Sequence, residues 1–150
     1  MVVPAPARNT QERRADVETM LDTEVDAWVA SAGAAGDAYL IPLSFAWDGT
    51  RLIMATPESS ITARNLSRAG WVRLALGATR DVVIIEGPVE VTGVGDDAMA
   101  EFHASRAGFD VRDEDGPWVF MSVTPQRVQA WREVNELKDR LLMVDGRWLA

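Results

Sequence analysis

Residues 38–47 have the sequence AYLIPLSFAW and are followed by Asp48-Gly49 and by RLIMAT at residues 51–56. This stretch is the strongest indication of the fold class. Two apolar runs joined by Asp-Gly predict a β-hairpin, because this dipeptide tolerates the positive φ angles of a tight turn. Outward from this hairpin, further strands are predicted at residues 27–32, 71–76 and 81–94. An extended stretch at 117–131 is interrupted by Pro125, and a terminal hairpin joins strands 141–144 and 147–149. Strands that follow one another through tight turns favour an antiparallel sheet closed into a barrel over a βαβ array.

Three short helices are predicted around these strands. Apolar residues at helical spacing indicate helices at residues 11–24 and 96–107, and N-cap residues before a segment that stops at Gly70 indicate one at residues 61–69. Gly87-Pro88, inside the longest predicted strand, indicates a bulge or a bend at a barrel corner. Residues 1–10 contain two prolines and small side chains, which predicts a flexible tail before one domain at residues 11–150.

Charge and composition exclude several classes of partner and site. The net charge is −8, so nucleic acid and anionic membrane surfaces are poor candidate partners. The chain has no cysteine and a single histidine, His103, so we predict no metal site. His103 itself is expected to be an ordinary surface residue. No apolar run has the length of a membrane helix and no signal peptide is recognisable, so we expect a cytoplasmic protein.

The six tryptophans are an unusual feature of the composition. Five of them lie in or at the end of predicted strands, and packing in the core is the default expectation for each: Trp28, Trp47, Trp71, Trp118 and Trp131.

The segment Thr56–Leu66 is the most informative local pattern. A strand ends in a turn rich in hydroxyl groups, and a helix then begins with Thr62 and Arg64 in its first turns. A helix N-terminus attracts anions through its free N–H groups and its dipole, and an arginine adds charge-assisted hydrogen bonds. The spacing therefore fits a phosphate site, although an ordinary helix cap with a surface arginine is the more common explanation of such a pattern.

Several spaced motifs, in order, resemble the pyridoxamine 5′-phosphate oxidase-like family. The resemblance runs from about Trp28 to Leu149 and includes the hairpin 28–47, Thr56–Leu66, Arg80–Val89, PQRVQAW at 125–131, LKDR at 137–140 and DGRW at 145–148. It implies an all-β-dominated, six-stranded antiparallel split β-barrel with short flanking helices, which binds FMN and works as a homodimer.

The resemblance also implies which residues contact a cofactor, either FMN or the deazaflavin coenzyme F-420. The tryptophans would then offer flat walls for the flavin ring. The implied cofactor-binding residues are Pro42, Leu43, Ser44, Thr56, Ser59, Ser60, Thr62, Arg64, Asn65, Trp131 and Arg140. No catalytic residue is identified.

Departures from the family pattern concern mainly the substrate site. In the motif LKDR at 137–140, the resembling oxidases have an Arg before the Leu and a His after it. This chain has Glu136 and Lys138 at these two positions. A carboxylate facing a substrate phosphate would repel it, so we expect no oxidation of pyridoxine 5′-phosphate or pyridoxamine 5′-phosphate at a useful rate. Three functions remain open: an FMN-dependent oxidoreductase of unknown small-molecule substrate, a coenzyme F-420-dependent reductase, and a non-catalytic protein that binds a flavin or a tetrapyrrole. A cofactor-free structural dimer is a further alternative.

Overall fold

The computed structural model describes residues 1–150. Three α-helices span Thr10–Thr23 (α1), Ile61–Ala69 (α2) and Asp97–Ala107 (α3). Nine strands span Asp26–Ala32 (β1), Ala38–Trp47 (β2), Leu52–Pro57 (β3), Trp71–Leu76 (β4), Val82–Gly93 (β5), Trp118–Val123 (β6), Arg127–Trp131 (β7), Leu141–Val144 (β8) and Arg147–Trp148 (β9). Two short 3-10 helices, Val111–Asp113 and Val134–Asp139, complete the elements.

Six of the strands close into an antiparallel barrel. The order around it is β4-β1-β2-β3-β6-β5, and the pairing of β5 with β4 closes the ring. Strands β7, β8 and β9 continue the sheet from β5 and lie outside the barrel. The predicted β-dominated, six-stranded barrel with short flanking helices is therefore confirmed.

Strand β5 bends at Gly87, as the Gly-Pro pair predicted. Before this residue β5 pairs with β7, and after it β5 pairs with β6. The backbone of Thr124 passes so close that a Cβ at position 87 would collide with its carbonyl group. A glycine is therefore required where β5 changes partner.

The main hydrophobic core fills the barrel. Phe45, Leu74, Ile85 and Met121 are fully buried in it, and Leu21 of α1 packs against one end. Burying each such side chain contributes about 1.5–3 kcal/mol. A second, smaller core lies between α3 and the outer faces of β3 and β6, and includes Ile53, Ala100, Val111 and Phe120.

The prediction of a surface position for His103 is wrong. This side chain is fully buried beneath α3, and its ring lies 5.3 Å from the ring of Phe109 and 5.6 Å from that of Phe120. Neither ring nitrogen has a hydrogen-bond partner, and burial lowers the pKa of His103. The helix turns this residue toward the second core, which its place beside Phe102 in the sequence did not indicate.

Core packing is also the wrong expectation for two of the tryptophans. Trp28 and Trp71 are 49% and 48% exposed. Both lie on the outer face of the sheet formed by β2, β1 and β4, because their strands place Val29 and Val72 in the barrel instead. The alternation of side chains along a strand decides this outcome.

Part of the segment predicted as a flexible tail makes specific contacts. The side chain of Arg8 donates hydrogen bonds to Glu136 and to Asp16, and Asn9 caps α1 by accepting from the Glu12 N–H. Helix α1 begins at Thr10. The longest helix of the chain is too short and too polar to cross a lipid bilayer.

Candidate functional site

The turn between β3 and α2 is held by a chain of hydroxyl groups. The Thr56 hydroxyl lies 3.1 Å from the Ser60 hydroxyl, and Ser60 caps α2 by accepting from the Ala63 N–H at 3.1 Å. At its other end the helix stops at Gly70, which has a φ of 68°. The contacts of Thr56 and Ser60 define the start of α2, where helix N–H groups are left without intrahelical partners.

Two side chains in the first turns of α2 have no partner within the chain. The hydroxyl of Thr62 is fully buried and makes no hydrogen bond. Arg64 is exposed and forms neither a hydrogen bond nor an ion pair. A buried polar atom without a partner is uncommon in native structures. An anion at this helix start would find a free cation, a free hydroxyl and the positive end of the helix dipole.

The other predicted residues of this segment differ in availability. Ser59 is exposed, whereas Asn65 is buried and donates to the Ser31 hydroxyl at 3.0 Å. Asn65 therefore ties α2 to β1. The residues that remain free for a ligand are Ser59, Thr62 and Arg64.

A cavity of about 330 Å³ brings together four of the predicted residues, Pro42, Leu43 and Ser44 of β2 and Thr56 of β3. Phe109 and Trp118 form aromatic walls, and Asp26 is the one ionisable residue in the lining. The Ser44 hydroxyl donates to the Asp26 carboxylate at 2.8 Å. A negative phosphate therefore fits the α2 terminus better than this cavity, which suits an uncharged flat group.

A second cavity, of about 320 Å³, continues from the first. The two share Asp26 and Pro42, and the second is also lined by Trp28 of β1 and by Ala75 of β4. The half-exposed indole of Trp28 thus stands at the edge of the space that Pro42 lines.

The closing segment, residues 131–140, brings Trp131 and Arg140 together. The Arg140 guanidinium lies 6.0 Å from the centre of the Trp131 ring. Arg140 donates to the Gln129 side chain at 3.2 Å and to the Leu137 carbonyl at 2.9 Å, and it remains exposed. Its charge is not neutralised by any carboxylate of the chain.

Glu136 lines a cavity together with the N-terminal segment, but an ion pair with Arg8 neutralises its carboxylate, so it is not the unpaired charge that the sequence led us to expect. It is 3% exposed, and its carboxylate accepts from the Arg8 side chain at 2.8 and 3.0 Å and from the Arg132 N–H at 2.8 Å. Hydrogen bonds from Arg8 lower the pKa of Glu136 to about 2. The same contacts raise the pKa of Arg8. The proposed repulsion of a substrate phosphate by Glu136 is therefore wrong in its physical reason. Lys138 is exposed.

A buried arginine of α1 also holds the closing segment. The Arg13 Nη1 atom donates to the carbonyl groups of Asp139 at 2.6 Å, Glu136 at 3.2 Å and Ala130 at 3.4 Å. Neither Arg8 nor Arg13 was predicted from the sequence to hold this segment. The burial of these two arginines could not be predicted, because Glu136 and the carbonyl groups that accept from them lie more than a hundred residues away in the chain.

The two groups of predicted residues stay apart within one chain. No hydrogen bond or ion pair joins residues 56–65 to residues 131–140, and neither of the two cavities described above is lined by Trp131 or Arg140. The direct roles of all these residues toward a cofactor stay predictions.

Comparison with known proteins agrees with the architecture. Residues 14–132 match the family model described as pyridoxamine 5′-phosphate oxidase, which ends before most of the closing segment. No curated protein sequence matches the chain.

Solved structures of similar fold cover most of the chain. An F420 reductase is 18% identical with a TM-score of 0.63 and covers 74% of this chain and 94% of its own. General stress protein 26 from Bacillus anthracis str. Sterne is 16% identical with a TM-score of 0.65, over 79% of this chain and 92% of its own. A heme binding protein from Mycobacterium smegmatis is 17% identical with a TM-score of 0.68, over 96% of this chain and 60% of its own. At these identities the likeness concerns the fold alone.

Proposed function

The chain belongs to the pyridoxamine 5′-phosphate oxidase family, and from this premise we propose that it is an oxidoreductase that binds FMN and acts on a small molecule other than pyridoxine 5′-phosphate. The observation that carries the proposal is the start of α2. There the exposed Arg64 and the buried hydroxyl of Thr62 have no partner in the chain.

The residues present fit the phosphate of such a cofactor. A phosphate at the α2 terminus would accept from Arg64 and from the Thr62 hydroxyl, which satisfies the one polar atom of this segment that is buried without a partner. Ser60 would not compete for it, because its hydroxyl already caps the helix. The neighbouring cavity offers the aromatic walls of Phe109 and Trp118 to a flat ring.

Bound FMN would supply the two-electron redox chemistry, and the protein would bind, orient and shield the reacting groups. Arg64 would hold the phosphate end of the cofactor. Arg140, which keeps an uncompensated positive charge, would attract an anionic part of the cofactor or the substrate. The cavity walls would exclude water.

The proposal that pyridoxine 5′-phosphate is not the substrate rests on the closing segment. At the positions where the resembling oxidases have Arg and His, this chain has a carboxylate that is buried against Arg8 and a solvent-exposed lysine. Neither supplies the fixed fork of donors that a phosphate dianion needs.

Equilibrium titration with FMN, and in parallel with coenzyme F-420, tests the cofactor site. Arg64→Ala removes a charge-assisted contact worth about 1.5–3 kcal/mol, which weakens binding roughly 10- to 150-fold. Arg68→Ala, on the last turn of the same helix, is the matched control and should leave affinity unchanged. Equal affinity of wild type and Arg64→Ala for both cofactors would show that the phosphate lies elsewhere. Steady release of hydrogen peroxide from pyridoxamine 5′-phosphate would contradict the proposed substrate limit.

A second candidate is a non-catalytic flavin- or tetrapyrrole-binding protein. It is favoured by the lining of the cavity, in which Asp26 is the one ionisable residue and is already engaged with Ser44. Single-turnover reduction of the loaded protein separates the two candidates. An oxidoreductase is reduced and reoxidised by substrate and acceptor, whereas a binding protein keeps an unchanged spectrum.

We also propose that the protein is a homodimer through the outer face of β2, β1 and β4. Trp28, Trp71 and Leu40 are 49%, 48% and 60% exposed on this face, next to Pro42. Exposed aromatic residues grouped on one face are typical of interfaces, and a two-fold arrangement lets the same patch serve both copies.

Light scattering tests the assembly. Twice the chain mass of 16.5 kDa is about 33 kDa. Trp28→Lys should shift the molecule to a monomer. The control is Val134→Lys, which also replaces an exposed apolar residue by lysine. Val134 lies in the 3-10 helix 134–139 and not on β2, β1 or β4, so this variant should remain dimeric. A monomeric wild type at micromolar concentration would overturn the proposed interface.

A further inference from the structure

A third cavity, larger than either of the two described above, lies away from the proposed cofactor site. Its volume is about 490 Å³, within the range of small-molecule sites. It opens between α1, the β2–β3 turn, the β6–β7 connection and the β8–β9 hairpin, and it shares no residue with the segment 56–65. The proposed function makes no use of it.

The lining of this cavity combines aromatic walls with negative charge. Trp47 and Trp148 supply indole surfaces, Glu18 and Asp22 supply carboxylates, and no Lys, Arg or His is among the lining residues. Asp22 forms no ion pair in the chain, and it lies in the last turn of α1, which contains no basic residue. The negative end of the helix dipole adds to these charges.

The molecule already contains an example of what this surface attracts. The guanidinium of Arg14 lies 4.8 Å from the centre of the Trp148 ring, and its Nε donates to Glu18 at 3.1 Å. A second guanidinium, that of Arg106, donates to the backbone carbonyl of Asp22. Both arginines lie at the rim and neither lines the cavity. The Trp148 ring and the Glu18 carboxylate therefore hold the flat cation of Arg14. The Trp47 ring and the Asp22 carboxylate have no cationic partner in the chain.

We propose that this cavity binds a small organic cation with a flat apolar body. The cationic head would lie near the Asp22 carboxylate, and the body would stack on Trp47, with the amide of Gln126 available for a further hydrogen bond. Cation–π contact and charge complementarity favour such a ligand over a neutral or an anionic one.

Benzamidine is the probe and benzamide, which has nearly the same shape without the charge, is its neutral partner. Calorimetric titration of the intact protein should give a benzamidine affinity at least about 5-fold higher than that for benzamide, and the difference should shrink as salt is added. In proton–nitrogen spectra the indole N–H signals of Trp47 and Trp148, assigned through Trp→Phe variants, should shift with benzamidine.

Two variants and a control locate the site. Asp22→Asn should weaken benzamidine about 3- to 10-fold, and Trp47→Leu about 3- to 30-fold. Asp37→Asn, an exposed carboxylate outside the cavity, should leave the affinity unchanged. If Trp47→Leu does not fold, the Asp22→Asn and Asp37→Asn pair still decides the question.

Four results would overturn the proposal. These are equal affinity for benzamide and benzamidine, equal loss in Asp22→Asn and Asp37→Asn, no binding of benzamidine up to roughly 10 mM, and displacement of benzamidine by FMN. The last result would place the flavin in this cavity and would contradict the proposed cofactor site as well. The other three leave the cofactor proposal untouched.

Discussion

The two segments of the proposed cofactor site, the start of α2 and the closing segment, are held in place by opposite means. The start of α2 depends on contacts within a few residues, since the Ser60 hydroxyl accepts from the Thr56 hydroxyl and from the Ala63 N–H. The closing segment depends on contacts across the whole chain, because Arg8 and Arg13 of the N-terminal region hold Glu136 and its neighbouring carbonyl groups. Local contacts can be predicted from sequence spacing, whereas buried long-range ion pairs cannot.

This difference has a consequence for function. The α2 segment keeps free donors for a ligand, at Thr62 and Arg64. In the closing segment most polar groups are already used for the protein's own stability, and Arg140 alone among its exposed arginines stacks near an aromatic ring. We therefore expect Glu136→Gln and Arg13→Ala to act mainly on stability, and Arg64→Ala to act mainly on cofactor binding.

The largest expected effect is that of Glu136→Gln. It leaves the Arg8 guanidinium largely buried without its main counter-charge, and breaking a buried pair costs about 3–5 kcal/mol. We expect a loss near 3 kcal/mol in the free energy of unfolding, because Arg8 keeps Asp16 at 2.8 Å. Urea denaturation measures it. Glu133→Gln, which breaks the exposed pair with Arg80, should cost less than about 0.5 kcal/mol. Equal losses in the two variants would mean that the buried pair contributes nothing special.

The pH dependence of stability should show the same ion pair. Because Arg8 lowers the pKa of Glu136 from the ordinary 4.5 to about 2, the stabilisation is fully present above pH 4.5 and is lost as the pH falls toward 2. By pH 3 the loss should reach about 2 kcal/mol, at 1.36 kcal/mol for each pH unit below the ordinary value. The measurement is the wild-type free energy of unfolding minus that of Glu136→Gln at several pH values. A difference that stays constant from pH 7 to pH 3 would contradict the lowered pKa.

Thr62→Val sharpens the comparison from the α2 side. Valine has nearly the same shape and removes the buried hydroxyl that lacks a partner, so the cofactor-free protein should gain about 1–2 kcal/mol of stability. Thr56→Val is the control with the opposite sign, because the Thr56 hydroxyl is bonded to Ser60 and its removal should cost about 1 kcal/mol. Thermal and urea unfolding of both variants provide the test. Destabilisation by Thr62→Val would indicate that its hydroxyl already has a partner.

The smallest expected effect on stability is that of Arg64→Ala. The side chain is exposed and unbonded, so the free energy of unfolding should change by less than about 0.5 kcal/mol. Arg13→Ala, which removes the buried donor to three carbonyl groups of the closing segment, should cost several times more. Urea unfolding of the two variants compares an arginine available for a ligand with one committed to the fold. A similar loss in both would show that Arg64 has a structural role.

Much of the fold followed from alternation and turn chemistry. The bounds predicted for the strands 38–47, 71–76 and 141–144 and for the helix 61–69 agree with the structure, because strand alternation, Asp-Gly turns and a Ser–Gly pair of caps are local signals. The 3-10 helix Val134–Asp139 was not predicted, since the residues that bond to it, Arg8 and Arg13, are distant in the sequence.

At the candidate site, the start of α2 and the family resemblance that pointed to it could be recognised from the residue order. Hydroxyl groups, an arginine and a helix start within eleven residues are a pattern that nearby chain positions alone create. The burial of His103, the exposure of Trp28 and Trp71, and the pairing of Glu136 with Arg8 became visible only in the folded molecule. Burial and pairing of this kind depend on which distant surfaces meet when the barrel closes, and no spacing along the chain contains that information.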